Sequence, residues 1–239
     1  MRILLINANT TAAITDRLVA IANDLAPAGV TFAGATGRFG ARYIASRAAS
    51  AIAAHAALDA YAEHGAGADA VLLGCFGDPG LDALREIAPV PVVGLADASA
   101  AAALRLAPRF GVVTGGAAWK PMLEEFFAAR GHAANLAGVR TVAPSGGEIA
   151  RDPEAAIAAL AAACEACAKD GAGVVILGGA GLAGLATRVA ERVRLPVICS
   201  VEAGIRAAIA ALGQGPAGLL PHQPVETVGL APALAARLG

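Results

Sequence analysis

Aromatic side chains are scarce. Six Phe, two Tyr and one Trp make up 4% of 239 residues, although hydrophobic residues reach 57%. The apolar content is therefore mostly alanine, which lines helices packed closely on a sheet and does not by itself imply a bilayer. Charge is scarce as well: 18 Lys and Arg stand against 19 Asp and Glu, a formal net charge of −1. Nothing in that balance draws nucleic acid or an anionic lipid surface. No run approaches the roughly 18 uncharged apolar residues of a spanning helix, because the alanine-rich stretch from Ala155 is broken by Glu165. The opening MRILLINAN carries one Arg and passes directly into a strand and a polar loop. It lacks the longer apolar region and cleavage site of a signal peptide, so a cytoplasmic location is expected.

Cysteine is limited to Cys75, Cys164, Cys167 and Cys199. Cys164 and Cys167 form a Cys-x-x-Cys inside a helical, alanine-rich pattern, with no second pair and no nearby histidine. They read as helix-packing residues in a reducing compartment, and no metal is expected. His55, His64, His132 and His222 lie apart without ligand spacing and read as surface or packing residues.

What is present is an alternation. Eight apolar runs are separated by alanine-rich helical stretches, the βαβα pattern of a parallel sheet. The predicted strands are Arg2 to Asn7, Val30 to Ala35, Ala70 to Gly74, Val90 to Gly94, Phe110 to Val113, Leu136 to Val142, Val174 to Leu177 and Pro196 to Cys199.

The most informative stretch is VLLGCFGDPGL, Val71 to Leu81. A strand buried on both faces ends in Cys75, and Asp78–Pro79 reads as an N-cap with proline at the first helical position. Cys75 is thereby expected at the carboxyl end of a strand and just before a helix. That is where open α/β sheets bind ligands, and a helix N-terminus lowers a thiol pKa.

The chain also repeats itself. AVLLGC (Ala70 to Cys75) lines up with VVILGG (Val174 to Gly179), and PVVGLADASAAAAL from Pro91 with PVICSVEAGIRAAI from Pro196. The offsets, 104 and 105, agree to one residue. Two similar α/β units follow, residues 1–108 and 109–215, with residues 216–239 expected to pack back on the first unit. If the units face each other, their strand-end loops meet across one cleft and position 75 looks across at position 179. Such an arrangement suits proton transfer on opposite faces of one carbon.

On these residues the chain resembles the aspartate/glutamate racemase superfamily, and within it the hydantoin and allantoin racemases, over essentially its whole length. The matching pieces are INANTT (Ile6 to Thr11), GCFGDPGL (Gly74 to Leu81), PVVGLADAS (Pro91 to Ser99), FGVVTGG (Phe110 to Gly116) and LGGAGLAG (Leu177 to Gly184). The second is the specific one. The resemblance implies an α/β fold of two pseudo-symmetric parallel-sheet units, with the active site in the cleft between them. It implies a cofactor-independent enzyme in which one cysteine from each unit acts as acid or base on a small substrate: a hydantoin, an amino acid or a related carbonyl or carboxylate compound. Two departures stand out. Ala8 replaces the proline of the usual Asn-Pro-Asn, and the usual Gly-Cys-Ala-Gly of the last motif reads Gly178-Gly179-Ala180-Gly181. Gly179 is thus the position of the missing second cysteine.

Racemisation removes a proton from one face of an acidic carbon and returns one to the other, so it ordinarily uses two positioned groups. With Cys75 alone, three readings are open. One is a racemase-type enzyme, natural or with its cysteine exchanged, that keeps one thiol. Another is a one-thiol decarboxylase or isomerase, similar to the arylmalonate decarboxylases of the same superfamily. The last is a small-molecule binding protein without catalysis.

The developing negative charge needs N–H donors, expected at Phe76 and Gly77 in the first unit and at Ala180 and Gly181 in the second. Asn9, Thr10, Thr114 and Gly115 are strand-end positions suited to a carboxylate or imide carbonyl. Arg42 and Tyr43 are expected to close over the cleft toward an anionic substrate. Asp97 and Glu202 occupy equivalent places in the repeat and read as first-turn helix residues. Alanine-rich exposed helices suit a homo-oligomer.

Overall fold

The computed structural model describes residues 1–143, 148–149, 152–216 and 223–239. His222 and Pro221 lie outside the described residues. The chain divides into two compact units. One comprises Met1–Ile44, Ala48–Gly94 and Gly204–Gly239; the other comprises Ala45–Arg47 and Leu95–Ala203.

In the first unit, strands β1 (Arg2–Asn7), β2 (Thr31–Thr36), β3 (Ala70–Leu73) and β4 (Val92–Gly94) form a parallel sheet in the order β2-β1-β3-β4. Its central strands are continuous apolar runs because both faces are covered. Ile3 to Ile6 and Ala70 to Leu73 are at most 1% exposed, and each such branched side chain contributes about 1.5–3 kcal/mol by leaving water. Helices α1 (Ala12–Leu25), α2 (Arg47–His64) and α3 (Leu81–Ile87) connect the strands. Alanine matters most in α2, where Ala53, Ala56, Ala57 and Ala60 are buried at helical spacing and let the helix pack closely.

The second unit repeats the plan. Strands β5 (Phe110–Gly115), β6 (Leu136–Val142), β7 (Val174–Leu177) and β8 (Val197–Cys199) are parallel in the order β6-β5-β7-β8. Around them lie α4 (Leu95–Leu104), α5 (Trp119–Ala129), α6 (Pro153–Lys169), a 3-10 turn (Ala180–Leu182), α7 (Ala186–Ala190) and the start of α8 (Ser200–Ala210). Cys164 and Cys167 are free and fully buried on α6. Gly111 of β5 makes room for them: a Cβ there would come within 2.6 Å of the Cys167 Cβ.

All eight expected strands form, with ends shifted by up to two residues. Two expectations change. The unit boundary falls after Gly94 rather than at 108, because α4 packs on β5, β7 and β8 of the second sheet. The unit also ends at Ala203, so most of α8 groups with the first unit, as does the described part of the C-terminal segment. There α9 (Pro232–Leu238) is pinned by Arg237, whose guanidinium lies 5.0 Å from the ring centre of buried Tyr61. Among the described residues, no helix is long and apolar enough to cross a membrane.

The second change concerns the helix expected at Asp78. It begins at Leu81 instead. Gly77, Asp78 and Gly80 have φ of +98°, +46° and +82°, left-handed values that no helical residue takes. Two successive turns fill the gap, closed by Asp78 N–H to the Cys75 carbonyl (3.0 Å) and Leu81 N–H to the Asp78 carbonyl (3.1 Å).

Candidate active site

In the first unit, the ends of β1 and β3 are tied together where the sheet stops. The Gly74 N–H donates to the Ile6 carbonyl at 2.7 Å, which sets Cys75 beside the segment after Ile6. Asn7, fully buried, organises that segment. Its Nδ2 donates to Asn9 Oδ1 (3.0 Å), Thr15 Oγ1 (3.1 Å) and the Thr11 carbonyl (3.2 Å). Asn9 Oδ1 also accepts from the Thr11 N–H at 2.9 Å. With its oxygen committed twice, Asn9 has its amide NH2 left as the group that can donate outward. Asn7 was not among the expected site residues. A lone amide closing an apolar strand was its only signal.

The Arg42 stretch meets the same loop through its backbone. Thr10 N–H donates to the Ala41 carbonyl (3.2 Å), and Thr11 Oγ1 to the Arg42 carbonyl (2.8 Å). The Arg42 side chain is exposed and Tyr43 is half-buried. Arg38 serves the fold, since its Nε and Nη2 donate to the buried Asp59 carboxylate at 2.7 and 2.6 Å. That pairing keeps the Asp59 carboxyl below its ordinary value.

Cys75 is 7% exposed. Burial pushes its thiol up from an ordinary value of 9.0 to about 12, and the nearby Asp78 carboxylate adds to the rise. This reverses the expected lowering, since the thiol caps no helix: Phe76 and Gly77 belong to the turn before α3, not to its first residues. Burial and the Asp78 carboxylate thus favour the thiol form of Cys75 over the thiolate. Asp78 is itself buried and lies against Gly94, where any Cβ would fall 2.3 Å from its Oδ2.

In the second unit, β5 and β7 end in the same way. Gly178 N–H donates to the Val113 carbonyl at 2.9 Å, and Leu182 N–H closes a turn on the Gly179 carbonyl at 3.0 Å. Gly179 therefore holds the place of Cys75 in the backbone as well as in the sequence repeat. Its own N–H donates to Ser200 Oγ at 3.1 Å, a partner that the sequence reading did not single out. Thr114 and Gly115 end β5, both buried, and the Thr114 hydroxyl lies on the Gly179 side. Ala180 and Gly181 open the 3-10 turn, so their amides have no acceptor within it. Cys199 ends β8 and corresponds to Gly94, one strand away from β7 and the Gly179 turn.

Asp97 and Glu202 stand in the first turns of α4 and α8, and Asp97 lies 3.7 Å from Arg130. Among the described residues, no group of His, Cys, Asp and Glu gathers in a way that would hold a metal ion.

The Asp/Glu/Hydantoin racemase family model matches residues 3–208. The hydantoin racemase of Paenarthrobacter aurescens is 34% identical over 220 residues, 89% of this chain and 92% of that protein. The hydantoin racemase of Pseudomonas sp. (strain NS671) is 39% identical over a shorter stretch, and the match spans 57% of that relative's length. The crystal structure of allantoin racemase from Pseudomonas fluorescens superposes with a TM-score of 0.90 at 32% identity, covering 96% of this chain and all of that one. From the sheet order, the paired strand-end turns and these matches, the chain belongs to the Asp/Glu/hydantoin racemase family, on its hydantoin and allantoin racemase side, and is a cofactor-independent racemase-type enzyme that works by cysteine acid/base chemistry.

Proposed function

We propose that this chain moves a proton at the carbon next to a carbonyl in a small cyclic ureide of the hydantoin or allantoin type. Cys75 is the acid/base group on one face of that carbon. The observation that carries the reading is the asymmetry of two equivalent turns: one presents a buried thiol, and the other presents bare backbone at Gly179. Cys75 as thiolate takes the proton and as thiol returns it. The Asn9 NH2, the Thr10 hydroxyl and the Gly77 amide are the donors for the enolate or imidate oxygen that forms. Arg42 and Tyr43 border the loop that carries Asn9 and Thr10. The enzyme works in the cytoplasm as a homo-oligomer, which light scattering of the purified protein reads directly.

The test is solvent exchange. Each enantiomer of 5-isopropylhydantoin is incubated in D2O with the protein and with Cys75→Ala, and deuterium at the ring carbon is followed by NMR. Exchange that depends on Cys75 is expected; equal exchange with both proteins would sink the proposal. Cys75-dependent loss of carbon dioxide from a 2-aryl malonate, without hydantoin exchange, would point to a decarboxylase.

A further inference from the structure

In the first unit, three backbone groups of fixed sense face the loop after β1, and together they set the direction of two side-chain amides. The Thr11 N–H can only donate, so the Asn9 atom 2.9 Å from it is the oxygen, Oδ1. That oxygen and the Thr11 carbonyl can only accept, so the Asn7 atom 3.0 and 3.2 Å from them is the nitrogen, Nδ2. The Asn9 N–H closes the circuit by donating to Asn7 Oδ1 at 3.3 Å. Behind Asn7, Thr15 Oγ1 of α1 accepts from Nδ2 at 3.1 Å and stands 2.6 Å from Thr36 Oγ1 at the end of β2. Asn7 is 0% exposed, so water offers it no other partner. Turning either amide over would set donor against donor and acceptor against acceptor, and would leave polar groups unpaired.

The Asn9 NH2 is the end of this network that stays open. Among the described residues it donates to nothing, and no fully buried side-chain nitrogen is left without a partner, so it faces accessible space. Resting on the proton-transfer reading of Cys75, we propose that Asn7 is a positioning residue: through Asn9 it makes this edge of the site a hydrogen-bond donor only, which selects a substrate that places the oxygen beside its reacting carbon there. The Gly74 bond to Ile6 sets Cys75 beside the same loop, so thiol and donor belong to one unit. As the carbon loses its proton, that oxygen gains negative charge, and an NH2 already fixed in place favours the charged state over the neutral carbonyl. An ammonium or a ring N–H, which can only donate, finds no partner at this position.

The test compares two substrates that differ at that oxygen. 5-Isopropylhydantoin is set against its 4-thio analogue, in which sulfur, a weaker hydrogen-bond acceptor, stands beside the reacting carbon. Deuterium exchange in D2O gives kcat/KM for both with the parent protein, Asn9→Ala, Asn7→Ala and the double variant, with Cys75→Ala as control. The ratio of the two values does not depend on how much protein is folded, because both substrates report on the same folded fraction. Asn9→Ala is expected to lower exchange of the oxo substrate by about a hundredfold and the oxo-to-thio preference by at least about tenfold. Asn7→Ala should lower the preference by a similar factor, and the double variant should fall no further than Asn9→Ala, within about twofold, since a residue that acts through Asn9 has nothing left to position once Asn9 is gone. Asn7→Asp, equal in size but unable to donate as a carboxylate, should lose the preference in the same way and serves if Asn7→Ala does not fold.

Rates for both substrates that fall together in the Asn7 variants, with the preference kept, mark a packing defect and overturn the proposal. Losses that multiply in the double variant overturn it as well, as does an Asn9→Ala protein that keeps the parent preference. Each of these results leaves the function of Cys75 standing, whereas absence of any Cys75-dependent exchange by the parent protein removes both.

Discussion

The turn after β3 and the turn after β7 are the same backbone device with opposite chemical content. Each begins with a glycine N–H donated to the adjacent central strand, at 2.7 Å to Ile6 and 2.9 Å to Val113, and each closes with a 3.0 Å bond three residues on. Beyond that the two diverge. Cys75 keeps a backbone that any L-residue adopts, whereas Gly179 takes φ of +125°. Asp78 leans over Gly94 in the first unit; the equivalent places in the second hold Leu182 and Cys199. The sheet ladder conserves the scaffold, because parallel strands must satisfy every backbone group. The side chains at the strand ends carry no such obligation, so the two turns are free to differ there.

That comparison can be broken in several places. The largest effect is expected from Cys75→Ala, which should reduce exchange at the hydantoin carbon by about a hundredfold or more, while Cys199→Ala leaves it nearly intact. Comparable losses in the two variants would mean that the thiols share the work. Next, Leu73 and Leu177 end β3 and β7 and are at most 1% exposed. Each Leu→Ala change should cost about 2–5 kcal/mol in chemical denaturation, and a cost confined to one unit would end the equivalence of the two cores.

Gly179→Cys sharpens the contrast. The backbone there disfavours a side chain by about 1–3 kcal/mol, so the variant should melt earlier and gain little inversion. Restoration of rapid racemisation without loss of stability would show that the turn relaxes freely. Gly94→Ala tests the other side of the divergence. Its Cβ would fall 2.3 Å from Asp78 Oδ2, so an overpacking cost of about 1–3 kcal/mol is expected, visible as a lower melting temperature.

The smallest effect is in pH. Cys75 and Cys164 are held up to about 12 and Cys167 to about 11, chiefly by burial. Unfolded thiols titrate near about 8.5. Above that pH the unfolded chain releases protons that the folded chain retains, so this contribution to stability, intact below, falls as pH rises toward the folded values. Asp59 acts in the opposite direction. Its lowered carboxyl contributes stability above the unfolded carboxylate range and loses it as acid reaches the folded value. Denaturation midpoints between pH 7 and pH 10, and again below pH 4, read both limbs. A midpoint that stays constant up to pH 10 would show that the thiols are not held.

The sequence alone determined the eight strands, their parallel sheets, the duplication and the place of Cys75 at a strand end. These rest on local signals: continuous apolar runs mark strands buried on both faces, and a repeat offset within one residue marks two copies of one unit. Its resemblance to the racemases implies in addition that Gly179 stands where a second cysteine is expected. Only the tertiary structure decided what surrounds those positions. Asp78–Pro79 looks like a helix start in one dimension, but Gly77, Asp78 and Gly80 turn left-handed and delay the helix to Leu81. Cys75 therefore loses the helix end that would have lowered its pKa and meets burial and a carboxylate instead. The Thr114 hydroxyl beside Gly179, the Ser200 bond to the Gly179 amide and the Asn7 brace under Asn9 join residues from different segments. Burial, electrostatic neighbours and shared hydrogen bonds depend on distances that chain packing sets, and no run of letters contains them.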